Sequence, residues 1–111
     1  MSYDRNTVTA PGPGWRLLPW ESGRGTPCFL SSGTPAGVLS LLADDIEEEQ
    51  LRDGAEVLDG ARAVLRDHKA GEYALRRTLH AATQCLGDVL RVADSRGARL
   101  PVVDGGDADG Q

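Results

Sequence analysis

The sequence predicts a mainly α fold: a long antiparallel two-helix hairpin with a short N-terminal extended segment or β-hairpin, dimerising as a four-helix bundle. Three observations predict it. Leu75, Leu79, Ala82, Leu86, Val89 and Ala93 recur at spacings of four, three, four, three and four, the period of one helix face. A longer stripe precedes it, marked by Leu39, Leu42, Ala43, Ile46, Leu51, Ala55, Leu58, Ala61 and Leu65. Between the two stripes lies His68-Lys69-Ala70-Gly71, where basic residues in a last turn and a following glycine favour helix termination. Two helices alone are too thin to bury both stripes, so a second copy is expected to cover them.

The chain has 111 residues, room for one small domain. Residues 1–14 are rich in Pro and Gly, and residues 104–111 read DGGDADGQ; both are expected to be unpacked, disordered tails. The single helical domain then spans 15–103: an extended segment over 15–33, a helix over about 38–68 and a second over about 72–95.

The first element is the extended one. WRLLPW at 15–20 and PCFL at 27–30 flank ESGRGT, a turn-rich stretch with two glycines, so a loose β-hairpin is expected. Pro19 and Pro27 exclude a central strand. A two-stranded hairpin is marginal alone, so its aromatics must pack on something. Trp15, Trp20 and Phe29 are three of the five aromatic residues. They either cap the helical core or anchor a partner.

The first helix is expected to start between 35 and 40, with Thr34 as cap and Pro35 at its first position, or with Ser40 as cap. Gly54 and Gly60 in its interior each cost about 1 kcal/mol against Ala. They mark either a close helix crossing or a bend. In the second helix, Glu72 near the start and Arg91 near the end suit the helix dipole. Ser95-Arg96-Gly97 is expected to end it, with Gly97 in the left-handed position. Leu100, Val102 and Val103 then form a short extended piece.

Charge is unevenly spread over a net of −5. Residues 36–71 hold nine acidic and four basic side chains; residues 72–100 hold three and five. That asymmetry favours antiparallel pairing of the helices. A negative domain is a poor nucleic-acid binder. Arg76, Arg77, Arg91, Arg96 and Arg99 are too scattered for a DNA stripe, and the helices are too long for a helix–turn–helix. No apolar run reaches 18 residues, so no membrane span is expected. Cys28 and Cys85 read as reduced thiols of a cytoplasmic protein without a secretory leader. A disulfide between them requires the first segment to pack on the last helix.

No catalytic residues, cofactor or metal site are expected. GxGxxG, GxxxxGK[ST] and CxxC are missing, and SGRGT lacks the strand–helix context of a phosphate loop. His68 and His80 read as surface or flank residues, at spacings that match no zinc site. Asp45 with Glu48, and Glu56 with Asp59, are i,i+3 carboxylate pairs that share a helix side. They resemble the paired carboxylates of MazG-like nucleotide pyrophosphohydrolases, which implies Mg²⁺ chemistry. Those enzymes divide their acidic motifs between two helices, whereas both pairs here lie on one; a solvated acidic face is the simpler reading.

The order WRLLPW, GTPCFLS, GVLSLLAD, ARAVL and LGDVLRVADSRGARL resembles a small uncharacterised family of Streptomyces and related actinobacteria, over about residues 14–100. The resemblance implies an actinobacterial, cytoplasmic accessory protein and transfers no catalytic residue. The expected function is therefore non-enzymatic: a regulatory or adaptor protein acting through protein–protein contacts. Trp15, Trp20, Phe29, Asp44 and Glu48 form its expected partner surface. Leu75, Leu79, Ala82, Leu86, Val89 and Ala93 form the expected packing stripe of the core and dimer. The alternatives are a small-ligand sensor, with a pocket beside Trp15 or Trp20, and a metal-dependent nucleotide hydrolase.

Overall fold

The computed structural model describes residues 3–31 and 37–100. Thr34, Pro35, Val102, Val103 and the tail 104–111 lie outside them. The elements run β1 (Trp15–Glu21), β2 (Pro27–Ser31), α1 (Val38–Arg66) and α2 (Glu72–Arg99).

β1 and β2 pair antiparallel, with Trp15 opposite Ser31, Arg16 opposite Leu30 and Leu17 opposite Phe29. The register shifts between Leu17 and Glu21, where Pro19 can donate no ladder hydrogen bond. The turn closes as the sequence predicts. Ser22 N donates to Thr26 O at 2.9 Å, and Gly25 adopts φ 79°, a left-handed conformation suited to glycine.

α1 starts after Gly37, which offers no side-chain cap. Ser40, expected as a cap, lies inside the helix and accepts from Arg16 Nη1 at 2.9 Å. α1 ends at Arg66, before His68. Asp67 forms the stop: its backbone N donates to Val64 O at 3.1 Å, and its Oδ1 accepts from Lys69 N at 3.0 Å. Gly71 heads α2 in an extended conformation. α2 continues through Arg99, four residues past the expected end. Gly97 lies within the helix without positive φ, so a single glycine did not stop a helix otherwise held by packing.

α1 and α2 are antiparallel: Glu47 meets Arg96 and Arg99, Gly54 meets Val89, and Val57 and Val64 share a cleft with Ala74 and Ala81. A Cβ on Gly54 would stand 3.2 Å from Val89 Cγ2, so this glycine permits a close crossing. Gly60 has open space around it.

The seam differs from the expected one. Its α2 side is made by Ala74, Thr78, Ala81, Cys85 and Val92, all at least partly buried. Leu75, Leu79 and Leu86 are 46%, 69% and 60% exposed, and Ala93 is exposed too. Ala82 and Val89 sit at the border, half-buried. Four of the six stripe residues, Leu75, Leu79, Leu86 and Ala93, therefore flank the seam, while Val89 meets Gly54 at the crossing. The physical reason is distance: close-approaching helices favour small residues at the crossing, which displaces leucines to the flank. Leu17, Leu18, Ala43 and Val92 are the buried apolar residues among those described.

The N-terminal segment is not an unpacked tail. Tyr3 and Arg5 fasten its start to α2.

Candidate functional site

Three features stand out: a buried charge junction, an aromatic edge strapped by the N-terminal segment, and a bare apolar face.

The junction joins the hairpin to both helices. Glu47 is 1% exposed. Its carboxylate lies 3.4 Å from Arg16 Nη2, 3.3 Å from Arg96 Nε and 3.3 Å from Arg99 Nη2. A buried carboxylate is tolerable only with such compensation. Arg16 also reaches Asp44 at 2.7 Å. Nearby, Arg91 is buried and donates to Pro19 O at 3.2 Å and to Glu21 Oε2 at 3.1 Å. Gln50 Nε2 donates to the same Pro19 carbonyl at 2.9 Å, and Ser95 Oγ donates to Leu17 O at 2.7 Å. The unladdered stretch around Pro19 thus has its backbone acceptors satisfied by helix side chains. The sequence gives no sign of this, because periodicity marks Glu47, Arg91 and Ser95 only as polar.

Asp44 and Glu48 are the exposed rim of this junction. Asp44 is held by Arg16, and Glu48 lies 3.5 Å from Arg96. The structure brings them together beside arginines, so the acidic edge is partly neutralised from within the chain.

The aromatic edge is divided. Trp15 is exposed and borders two clefts, of about 660 Å³ and 300 Å³. Phe29 lines the smaller one with Leu17. Trp20 is half-buried and lines neither.

The N-terminal segment crosses this edge. Tyr3 Oη donates to Asp94 Oδ2 at 2.8 Å, and Arg5 pairs with the same carboxylate. The Arg91 guanidinium stands 5.2 Å from the Tyr3 ring centroid, a cation–π distance. Hydrogen bonding from Arg5, and then from Tyr3, holds the Asp94 carboxyl below its ordinary range despite partial burial. Partial burial, and then the hydrogen bond to Asp94, push the Tyr3 phenol up to about 12. Without apolar periodicity in residues 3–14, only the pairing of Tyr3 and Arg5 with a distant acid could have marked the segment.

The bare face lies along the helix pair. A groove of about 430 Å³ is lined by Leu51, Ala55 and Leu58 of α1 and by Ala82, Leu86 and Val89 of α2. Helical spacing extends it to Leu65 and to Leu75 and Leu79, all exposed. On α2 the strap and hairpin use a different lane, Gly87, Arg91 and Asp94. Cys85 lines the groove as a free thiol. Burial, aided by Asp88 and Asp53, pushes its pKa up, which disfavours the reactive thiolate. Cys28 is also free.

Among the described residues, no three His, Cys, Asp or Glu side chains converge as a metal site. No described helix is long and apolar enough to cross a membrane. Comparison with family models, with curated proteins and with solved structures finds no match to this chain.

Proposed function

We propose that this chain is a non-enzymatic regulatory or adaptor protein that works as a homodimer, with the bare helical face as subunit interface and the hairpin side turned to a partner. One observation carries the reading: Leu58, Leu75, Leu79 and Leu86 of the helix pair stay 46–69% exposed. Their exposed parts equal roughly two whole leucines per protomer, or about 3–6 kcal/mol on burial. With Ala82 between them, the α2 leucines repeat at four, three and four, a spacing that suits knobs-into-holes packing of a left-handed four-helix bundle. The acidic α1 and more basic α2 favour packing α1 of one copy against α2 of the next. The buried ionisable residues Glu47 and Arg91 are tied into ion pairs that hold the fold, which supports a non-catalytic role. The actinobacterial family resemblance and a cytoplasmic location fit the same reading.

Sedimentation equilibrium tests it. The wild-type chain should sediment as a dimer at micromolar concentration, and Leu86→Glu as a helical monomer. A monomeric wild type, or a dimeric Leu86→Glu chain, would refute the interface.

A second reading, a small-ligand sensor, is favoured by the 660 Å³ cleft at Trp15, whose wall carries Arg16 and Arg99. These guanidinium groups suit an organic anion. Titration with aromatic carboxylates should quench Trp fluorescence saturably; a linear response would eliminate this reading.

A further inference from the structure

We propose that residues 3–8 are a self-ligand, seated in a peptide-docking groove that a partner segment of the same chemistry can take over. The floor of the groove is Gly87, Arg91 and Asp94 of α2, and beside it lies a cleft bounded by Trp15, Leu17, Phe29 and Ala98 together with the segment itself. The partner segment carries an aromatic hydroxyl and a guanidinium two residues apart. The proposal rests on the protein-interaction reading above and names the partner's chemistry.

The seated segment shows what the groove selects. Asp94 receives both the Tyr3 hydroxyl and the Arg5 guanidinium, so one carboxylate reads two groups. Arg91 covers the Tyr3 ring, which favours an aromatic residue at that position. At Gly87 an added Cβ would lie 3.6 Å from Tyr3 N and 3.8 Å from Tyr3 Cβ, so the strand of bound chain passes close to the helix there. A turn at Asp4 presents the two groups together: Asn6 N donates to Asp4 Oδ1 at 3.0 Å and Thr7 N to Asp4 O at 3.1 Å. Both hydrogen bonds lie within residues 4–7, so a free peptide carries every group the turn requires.

The attachment is built to release. Residues 4–7 are exposed, and only Tyr3 and Val8 of the segment are partly buried. A cleft of about 300 Å³ stays open between the segment and Trp15, Leu17 and Phe29, so little apolar contact opposes departure. The connection to β1 is Pro11-Gly12-Pro13-Gly14, where Gly14 takes φ 83°. Two residues without N–H and a left-handed glycine leave this connection free of ladder bonds. A short tether gives the segment an effective concentration in the millimolar range. An outside segment therefore competes only when locally abundant or more complementary.

The test uses the full chain and a synthetic peptide of residues 1–10 as probe. In the released variant Tyr3→Ala/Arg5→Ala, the peptide should bind saturably, at least about tenfold tighter than to wild type, where the strap competes. Adding Asp94→Asn to that variant should lower the affinity about tenfold or more, as expected for loss of a shared charged acceptor. Equal affinity for wild type and released chain, or binding unmoved by Asp94→Asn, would overturn the proposal. Should the released variant lose its helical circular dichroism, the wild-type chain decides alone. Millimolar peptide should move the amide resonances of residues 4–8 to free-chain positions, and unmoved resonances would overturn the proposal. Sedimentation of the same samples separates the two readings: a dimer that fails to bind peptide loses the strap proposal and keeps the interface.

Discussion

Replacing Glu47 tests whether the charge junction holds the hairpin onto the helices. Glu47 is 1% exposed and contacts three arginines whose side chains are 11% (Arg16), 44% (Arg96) and 32% (Arg99) exposed. Removing one partner of a buried ion pair costs about 3–5 kcal/mol, because the other charge is stranded. Arg96 and Arg99 can recover water, so their pairs are worth at most about 1 kcal/mol each. Arg16 cannot: it keeps Asp44 and Ser40, but its buried Nε has no hydrogen-bond partner. Glu47→Gln preserves shape and should cost about 2–3 kcal/mol, the lower part of the buried-pair range. Glu47→Ala adds a cavity and should cost about 3–4 kcal/mol. For a domain of this size, 2–3 kcal/mol lowers Tm by roughly 10–20 °C. Circular-dichroism melts at one fixed protein concentration measure it, since the proposed dimerisation would make Tm concentration-dependent. Glu48→Gln is the control: its exposed contact with Arg96 is 3.5 Å long and should contribute under about 0.5 kcal/mol. A loss below about 1 kcal/mol for Glu47→Gln would refute the reasoning. It would leave Leu17, Leu18 and Val92 as the attachment of the hairpin.

Three further outcomes follow from the geometry. Gly60→Ala, with open space at its Cβ, should raise stability by about 0.5–1 kcal/mol; Gly54→Ala should gain less or lose, because Val89 must move, and equal melting gains for both would remove the close crossing. On alkaline titration, absorbance at the tyrosinate band should show Tyr3 ionising near 12, late because of its burial and of Asp94 beside it. Its folded pKa is raised, so its contribution is full below about pH 10 and is lost as pH rises toward 12. Asp94 has the opposite sign: its contribution holds above its ordinary range and is lost only as pH falls through its lowered value; normal ionisation of both in native protein would contradict the strap. Cys85, with its raised pKa, should react with a disulfide reagent at pH 7 more slowly than a free cysteine, and labelling as fast as free cysteine would contradict that shift.

Both helices were legible in the sequence because a 3.6-residue apolar period sustained over five or more turns has one economical reading. The hairpin was legible from Pro19, Pro27 and the ESGRGT turn. Periodicity could not tell which apolar lane forms the seam. Leu75, Leu79 and Leu86 outrank Ala74, Ala81 and Cys85 in hydrophobicity, but the crossing at Gly54 brings the helices too close for leucines. The end of α2 was misplaced because Ser95-Arg96-Gly97 reads as a glycine stop, whereas Arg96 and Arg99 lie in one further turn of helix. In space they extend the helix to reach Glu47, a contact across 49 and 52 residues. The strap was illegible for a similar reason. Tyr3 and Arg5 gain meaning only from Asp94, about ninety residues away, and a polar segment without period carries no trace of that partner.

In the proposed homodimer, the two lanes of α2 would keep dimerisation and partner binding from competing. Gly87, Arg91 and Asp94 serve the hairpin and strap, whereas Leu79, Ala82 and Leu86 flank the bare groove. Going from 87 to 86 steps about 100° around the helix, so neighbouring residues serve different faces. A monomer selected for its own stability would turn its leucines into the seam and its alanines outward. Here the alanines and Gly54 take the seam, and the leucines are left where they contribute little within the chain. Each exposed leucine withheld from the core forgoes up to about 1.5–3 kcal/mol, a large fraction of the stability of a small domain. In the proposed homodimer that arrangement becomes favourable: a second copy would cover the leucine face and leave the two strap grooves on faces the interface does not use.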